Sequence, residues 1–188
     1  MIQPEYSPYA EIAKDIREIL LTPEQIQARV AALGKQISAD YADKDLLLVG
    51  VLKGVLMFMA DLLRQITIPV AVDFIAVSSY SSEARDRGYV SLVKDLDIPI
   101  TGRHVIFIED VIDTGLTLNY LLRNLRARTP ASLEVCVLFN KPVRRLVDIP
   151  LRYKGFDIPD QFVVGYGLDY REKYRNLPFV GLLKAEAI

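Results

Sequence analysis

Leu46-Leu47-Leu48-Val49-Gly50-Val51-Leu52 is apolar without a break and ends on Lys53-Gly54. A strand with one face in water alternates apolar and polar residues. This run has no polar member, so it predicts a strand covered on both faces, as in a parallel sheet. Parallel strands need crossover helices, and the chain supplies them in alternation. Residues 57–66 read as a helix, and 70–77 as a strand rich in β-branched residues. Residues 105–108 form a third strong strand, 116–128 a second helix of this region and 133–139 a fourth strand. This order predicts a doubly wound α/β fold, a mainly parallel sheet flanked by helices.

The first 45 residues read as helical. Thr22-Pro23-Glu24-Gln25 has the form of a capping box, with Pro23 at the first helical position. Ile26, Val30, Leu33 and Ile37 then recur at helical spacing. Residues 78–88 carry four charges and no periodicity, which predicts an exposed loop. After Asn140 the regularity fades into short strand-like pieces at 163–166 and 179–183.

A chain of 188 residues predicts one domain. Folding should leave roughly 9,000 Å² exposed of about 31,000 Å², enough burial for a core without staples. No apolar run reaches the roughly 18 residues that span a bilayer. The N-terminus shows no basic segment leading into an apolar one, so no signal peptide is expected. The single cysteine, Cys136, excludes an internal disulfide framework and fits a reducing, cytoplasmic setting. A net charge of -1 gives no global field for nucleic acid. One histidine, His104, excludes multi-histidine metal sites, so a bound metal would have oxygen ligands.

The chemistry is concentrated in Val105-Ile106-Phe107-Ile108-Glu109-Asp110-Val111-Ile112-Asp113-Thr114-Gly115-Leu116-Thr117. An apolar strand leads into two adjacent carboxylates, then a third carboxylate, a glycine between hydroxyl residues and a helix start. Ligands in open parallel sheets bind beyond the carboxyl ends of strands. Free N–H groups at the helix start, with the hydroxyls of Thr114 and Thr117, suit a monophosphate at residues 113–117. Gly115 lets the backbone turn and approach a ligand closely. Glu109 and Asp110 repel phosphate but suit a neutral diol or a bound Mg²⁺. A phosphate and a diol about one sugar apart describe a ribose 5-phosphate. The bland alternative is that these carboxylates only favour the helix dipole.

This segment resembles the phosphoribosyl pyrophosphate-binding motif of the type I phosphoribosyltransferases. Its Glu-Asp and Ile-Asp-Thr-Gly elements are similar to those of the hypoxanthine-guanine phosphoribosyltransferases. The resemblance runs from about Leu33 to Leu183. It implies Mg²⁺-dependent transfer of phosphoribosyl to a purine with release of pyrophosphate. It also implies a core at about 46–140 and a small hood with the base pocket, from about 1–45 and 141–188. Under it, Glu109, Asp110, Thr114, Gly115, Leu116 and Thr117 hold ribose 5-phosphate, and Asp113 is the catalytic carboxylate. Val51-Leu52-Lys53-Gly54 resembles the first loop, often with a cis peptide before the lysine, so Lys53 and Gly54 would meet pyrophosphate. Ser79 and Tyr80 match the start of a lid, while 81–87 is more charged than the family pattern, and 94–97 matches the structure after it.

Lys141 follows the fourth strand and so lies on the ligand side of the sheet, where the resemblance sets it against the oxygen of a 6-oxopurine. Adenine, a donor at that position, would leave the lysine unpaired. Phe162 resembles the aromatic that stacks on the purine, and Val163 the residue whose carbonyl accepts from the base. Asp169 resembles a carboxylate near the second Mg²⁺, so Glu109, Asp110 and Asp169 are the expected metal ligands. Arg175 matches the arginine that meets pyrophosphate, and a guanidinium fork suits that anion. Arg144 and Arg145 read as helix or surface charges, and Arg171 and Lys173 as solvent-facing. His104 precedes the strand, at the end away from ligand.

Two alternatives stay open at this level. An RNA-binding pyrimidine attenuator shares the fold, but that family usually replaces the aspartate at position 113 and carries a basic face. An enzyme preferring xanthine or guanine differs only in contacts near Val163 and Asp169. The resemblance implies a homodimer or homotetramer, for which the helix carrying Met57, Phe58 and Met59 is one candidate interface and core packing of those residues the alternative.

Overall fold

The computed structural model describes residues 8–78 and 91–187. The expected lid positions Ser79 and Tyr80 lie outside the described residues. The elements in chain order are α1 (Ala10–Ala13), β1 (Ile16–Leu21), α2 (Pro23–Asp40), β2 (Leu46–Leu52), α3 (Leu56–Gln65), β3 (Val70–Ser78), β4 (Ser91–Lys94), β5 (His104–Ile112), α4 (Leu116–Arg126), β6 (Ser132–Asn140), β7 (Tyr153–Asp157), β8 (Val163–Val164) and β9 (Val180–Leu183). Short 3₁₀ turns occupy Pro142–Arg144 and Ala185–Ala187.

Six strands form the large sheet in the order β4-β3-β2-β5-β6-β7. All neighbours are parallel except β4, which runs antiparallel to β3. Each central strand feeds both faces. Leu46 and Leu48 of β2, with Ile106, Ile108, Cys136 and Leu138, pack under α2 and α3. Leu47, Val49, Val105, Phe107, Val135 and Val137 pack under the Leu118, Leu121, Leu122 and Leu125 face of α4. The expected two-sided burial of β2 is thus what the sheet contains.

A second sheet, β1-β9-β8, is antiparallel and sits over a cluster of Ala13, Val164, Leu177 and Phe179. It joins the main core through Val163, Tyr166, Leu168, Val180 and Leu182. The reading of the first 45 residues as helical is corrected here, because 16–21 is a strand paired with 180–183. Only α2 fulfils that reading at length, and its capping box forms through Thr22 and Gln25 as expected. The large sheet also continues past residue 140, where β7 adds to β6. Arg29 of α2 donates to the carbonyls of Lys154 and Gly155 and fastens that edge strand.

Phe58 and Met59 belong to the core beneath α3 and Met57 packs against it, whereas Leu56 is exposed. Core packing is therefore the reading that holds for Phe58 and Met59. His104 is the first residue of β5, not a turn residue before it; its ring lies 2.8 Å from the Ser132 hydroxyl and edge-on to Tyr41.

Candidate active site

Strand order reverses direction at β2, since β3 lies on one side of it and β5 on the other. Ligand clefts of open α/β sheets form at such a point, outside the carboxyl ends of the strands. A cavity of about 590 Å³ opens there, lined from β5 and α4 by residues 109–115, 117 and 118. Lys141 and Arg144 line it after β6, and Gln161, Phe162, Val163, Leu168, Asp169 and Arg175 line it from the C-terminal region. Of the expected site residues, Leu116, Lys53 and Gly54 are not among those lining it.

β5 runs further than its apolar stretch suggested. The ladder with β6 continues to Ile112 opposite Asn140, so Glu109 and Asp110 lie on the strand itself rather than after it. Both carboxyls are consequently poorly hydrated. Burial, reinforced by the Asp110 charge, pushes Glu109 well above the usual carboxylate range. Burial raises Asp110 to about 6, against the opposing pull of the Val111 N–H and of Arg175. Glu109 Oε2 is shielded from water and has no hydrogen-bond partner among the described residues. A buried acceptor of this kind calls for a donor or a cation from the ligand.

Gly115 has φ 81° and starts α4 as its cap residue. A side chain is strained at this φ, and a Cβ would also press on Arg145 and Ile149. The glycine is thus required by the backbone turn and by the protein beneath it. The Thr114 carbonyl accepts from the N–H groups of Leu146 and Val147, which folds the segment after β6 back against the turn. The first N–H groups of α4 lack intrahelical partners; that of Leu116 donates to Thr114 Oγ1 at 3.4 Å, and Thr114 and Thr117 line the cavity.

Lys141 is only 7% exposed. Its Nζ stands 3.6 Å from Asp113 Oδ1, just beyond hydrogen-bond length, and the Asp113 side chain is 44% exposed. Arg144 is an exposed charge at the end of the 3₁₀ turn, as expected, and it also lines the cavity, with Nη1 4.0 Å from the other oxygen of Asp113. Arg145, the other expected surface charge, packs beneath the cradle and donates to Asn140. Phe162 is 50% exposed although large and apolar, and its ring meets Tyr170 edge-on with centroids 5.5 Å apart. One aromatic face is therefore held rigidly at the cavity. Val163 is buried in β8, and Gln161, not singled out in the sequence, lines the cavity beside Phe162.

The loop 165–175 is held in an uncommon conformation. Tyr166, Arg171, Glu172 and Tyr174 have positive φ along with Gly165 and Gly167. Backbone bonds from Gly165 to Leu168, Tyr166 to Leu177 and Gly167 to Arg175 fix this course. It brings Arg175 Nη2 to 2.8 Å from Asp169 Oδ1, while Nη1 donates to the Gly167 carbonyl. Arg171 and Lys173 are exposed, as expected.

The Leu52–Lys53 peptide is cis, as the resemblance implied. Gly54 packs so closely on the Asp110 carboxylate that a Cβ there would overlap it. Lys53 pairs with Glu172 at 3.1 Å, at the edge of the same loop. The first loop therefore abuts the site through Asp110 and Glu172.

The donor set fits a hard divalent cation only in part. Glu109, Asp110 and Asp169 offer carboxylate oxygens, the ligands Mg²⁺ prefers. No cluster of three such side chains forms among the described residues, so ligand or water oxygens would have to complete the shell.

A sequence profile of the phosphoribosyl transferase domain matches residues 17–171. A hypoxanthine-guanine phosphoribosyltransferase of Mycobacterium avium is 53% identical over 175 residues, covering 90% of this chain and 86% of that protein. One from Streptococcus agalactiae serotype V is 51% identical, covering 93% of this chain and 97% of that protein. A crystal structure of a hypoxanthine phosphoribosyltransferase from Staphylococcus aureus superposes with TM-score 0.91 at 47% identity, covering 94% of this chain and 96% of that one. Fold, cradle and relatives agree, and the chain belongs to the phosphoribosyltransferase family, among its hypoxanthine-guanine members.

Proposed function

We propose that the protein transfers 5-phosphoribosyl from phosphoribosyl pyrophosphate to hypoxanthine or guanine, giving IMP or GMP and pyrophosphate. It thereby serves purine salvage. The observation that carries the base specificity is the buried Lys141 ammonium facing Asp113 in the cavity lined by the half-exposed Phe162. The purine stacks on Phe162, and Val163 contributes its backbone. Lys141 donates to the 6-oxo group, and Asp113 accepts the proton of the attacking ring nitrogen. The nitrogen–carbon bond forms at the anomeric carbon as the carbon–oxygen bond breaks, and its electron pair leaves on pyrophosphate. The negative charge of Asp113 also favours the oxocarbenium-like sugar in that transition state.

Thr114, Gly115, Leu116 and Thr117 receive the 5-phosphate, and Glu109 and Asp110 accept from the ribose hydroxyls. Lys53, Gly54 and Arg175 serve the pyrophosphate end. Glu109, Asp110 and Asp169, together with ligand oxygens, would hold Mg²⁺, which when bound would neutralise charge on the leaving pyrophosphate. The whole chain works as one unit, with a core at about 46–140 and a hood and base pocket from the two flanks. It acts in the cytoplasm as a homodimer or homotetramer, without nucleic acid or membrane partners. Leu56 on α3 is exposed for contact with a second copy; separately, no described helix is long and apolar enough to cross a membrane.

The test is direct. Purified protein with phosphoribosyl pyrophosphate, Mg²⁺ and hypoxanthine should form IMP and release one pyrophosphate per IMP. Pyrophosphate release that does not depend on added purine would contradict transfer to a base.

A further inference from the structure

Arg144 joins two parts of the site that come from distant stretches of chain. It ends the 3₁₀ turn Pro142–Arg144. Its Nε donates to Asp160 Oδ1, and its Nη1 lies 4.0 Å from Asp113 Oδ2. Asp160 immediately precedes Gln161 and Phe162, whereas Asp113 follows the end of β5. Lys141 approaches the other Asp113 oxygen, so cations flank this carboxylate at both of its oxygens. A guanidinium is planar and presents its donors in a fixed geometry, which lets it set the spacing between two carboxylates. A lysine ammonium lacks that fork.

Resting on purine transfer as the reaction, we propose that Arg144 is a positioning residue. The chain Asp160–Arg144–Asp113 holds the Phe162 segment at a set distance from Asp113. A purine stacked on Phe162 then presents its ring nitrogen to the carboxylate that takes its proton. The side-chain ion pairs of Arg144 run to Asp113 and Asp160 rather than to Thr114 or Thr117, so the larger effect falls on the base.

Steady-state kinetics on Arg144→Ala, Asp160→Ala and the double variant test this. Wild-type turnover of hypoxanthine is measured first; its absence would remove the functional reading itself, whereas the outcomes below concern only Arg144. Each single variant should raise the hypoxanthine KM about three- to fivefold, the upper end for a partly exposed ion pair. The KM for phosphoribosyl pyrophosphate should stay within about twofold. The double variant should be no worse than the worse single, because both break the same bridge. Arg144→Lys should keep the loss, since one ammonium cannot span both carboxylates. Arg144→Met, which keeps the stem and removes the guanidinium, gives the same reading where an alanine variant does not fold. Unchanged hypoxanthine KM, equal loss of both KM values, independent effects that multiply, or full rescue by lysine would each overturn the proposal.

Discussion

Asp113 and Lys141 face each other at 3.6 Å, and in the proposed reaction one accepts a proton and the other donates to an oxygen. Asp113→Asn keeps size and hydrogen-bonding shape but removes the acceptor and the charge. Its turnover number should fall by roughly one to three orders of magnitude, below the full 10² to 10⁴ of general base groups because water or ionised purine rescues it in part, with substrate KM values changed far less. The deficit should shrink as pH rises towards the pKa of the purine, because an ionised substrate needs no base. A deficit constant across pH would leave Asp113 without the proton-accepting role. Asp113 was legible because it stands in a local motif after a strong strand. Arg144 was not, because its role depends on residues 146 and 147 folding back onto Thr114, a contact between segments that no local pattern announces.

β5 carries Glu109 and Asp110 inside its ladder, and the sequence reading stopped it at Ile108 because charges usually end a buried strand. The extension costs solvation and leaves two carboxyls whose acidity is weakened. β3 shows the opposite arrangement at Asp73. Burial alone would raise Asp73, but the N–H groups of Ile98, Phe74 and Asp97, with Lys94, hold it below the usual carboxylate range. These bonds fasten β4 and the chain after it to the sheet. A lowered folded pKa stabilises above the unfolded value and is lost as pH falls through the lowered one. Asp73→Asn should therefore cost about 1–3 kcal/mol at pH 7. In urea titrations the gap to wild type should narrow below about pH 4. A gap that is the same at pH 7 and pH 3 would show that the Asp73 charge adds nothing. Strand β1 escaped notice for another reason. Its partner β9 lies near the far end of the chain, and a six-residue edge strand has too few residues for a periodicity to declare it.

The molecule as a whole sets a two-sheet frame around a carboxylate-rich cleft, and that cleft opposes stability. Folded pKa values of Glu109 and Asp110 are raised, so their contribution is fullest below the unfolded values and is lost as pH rises through about 6 for Asp110. Without Mg²⁺ or substrate, Asp110→Asn should melt about 2–4 °C above wild type at pH 8, the shift of roughly 1 kcal/mol in a chain of this size. Near pH 4 the two should melt together, and the variant should bind phosphoribosyl pyrophosphate poorly. A lower melting temperature at pH 8 would mean that Asp110 serves the fold rather than the ligand. The parallel sheet and the Gly115 turn into α4 were legible because apolar runs and a turn-to-helix motif are local. The second sheet was not, since the first and last segments of the chain build it together.

The central claim is that a buried lysine reads the 6-position of a purine. It is tested most directly by kcat/KM for hypoxanthine, guanine and adenine with Mg²⁺ and phosphoribosyl pyrophosphate, in wild type and Lys141→Met. Wild type should favour both 6-oxopurines over adenine by at least about a hundredfold, as sites built on a buried hydrogen bond do. Lys141→Met should lose most of that preference while phosphoribosyl pyrophosphate binding stays nearly intact. Comparable wild-type use of adenine, or an equal loss of affinity for base and phosphoribosyl pyrophosphate in the variant, would contradict it.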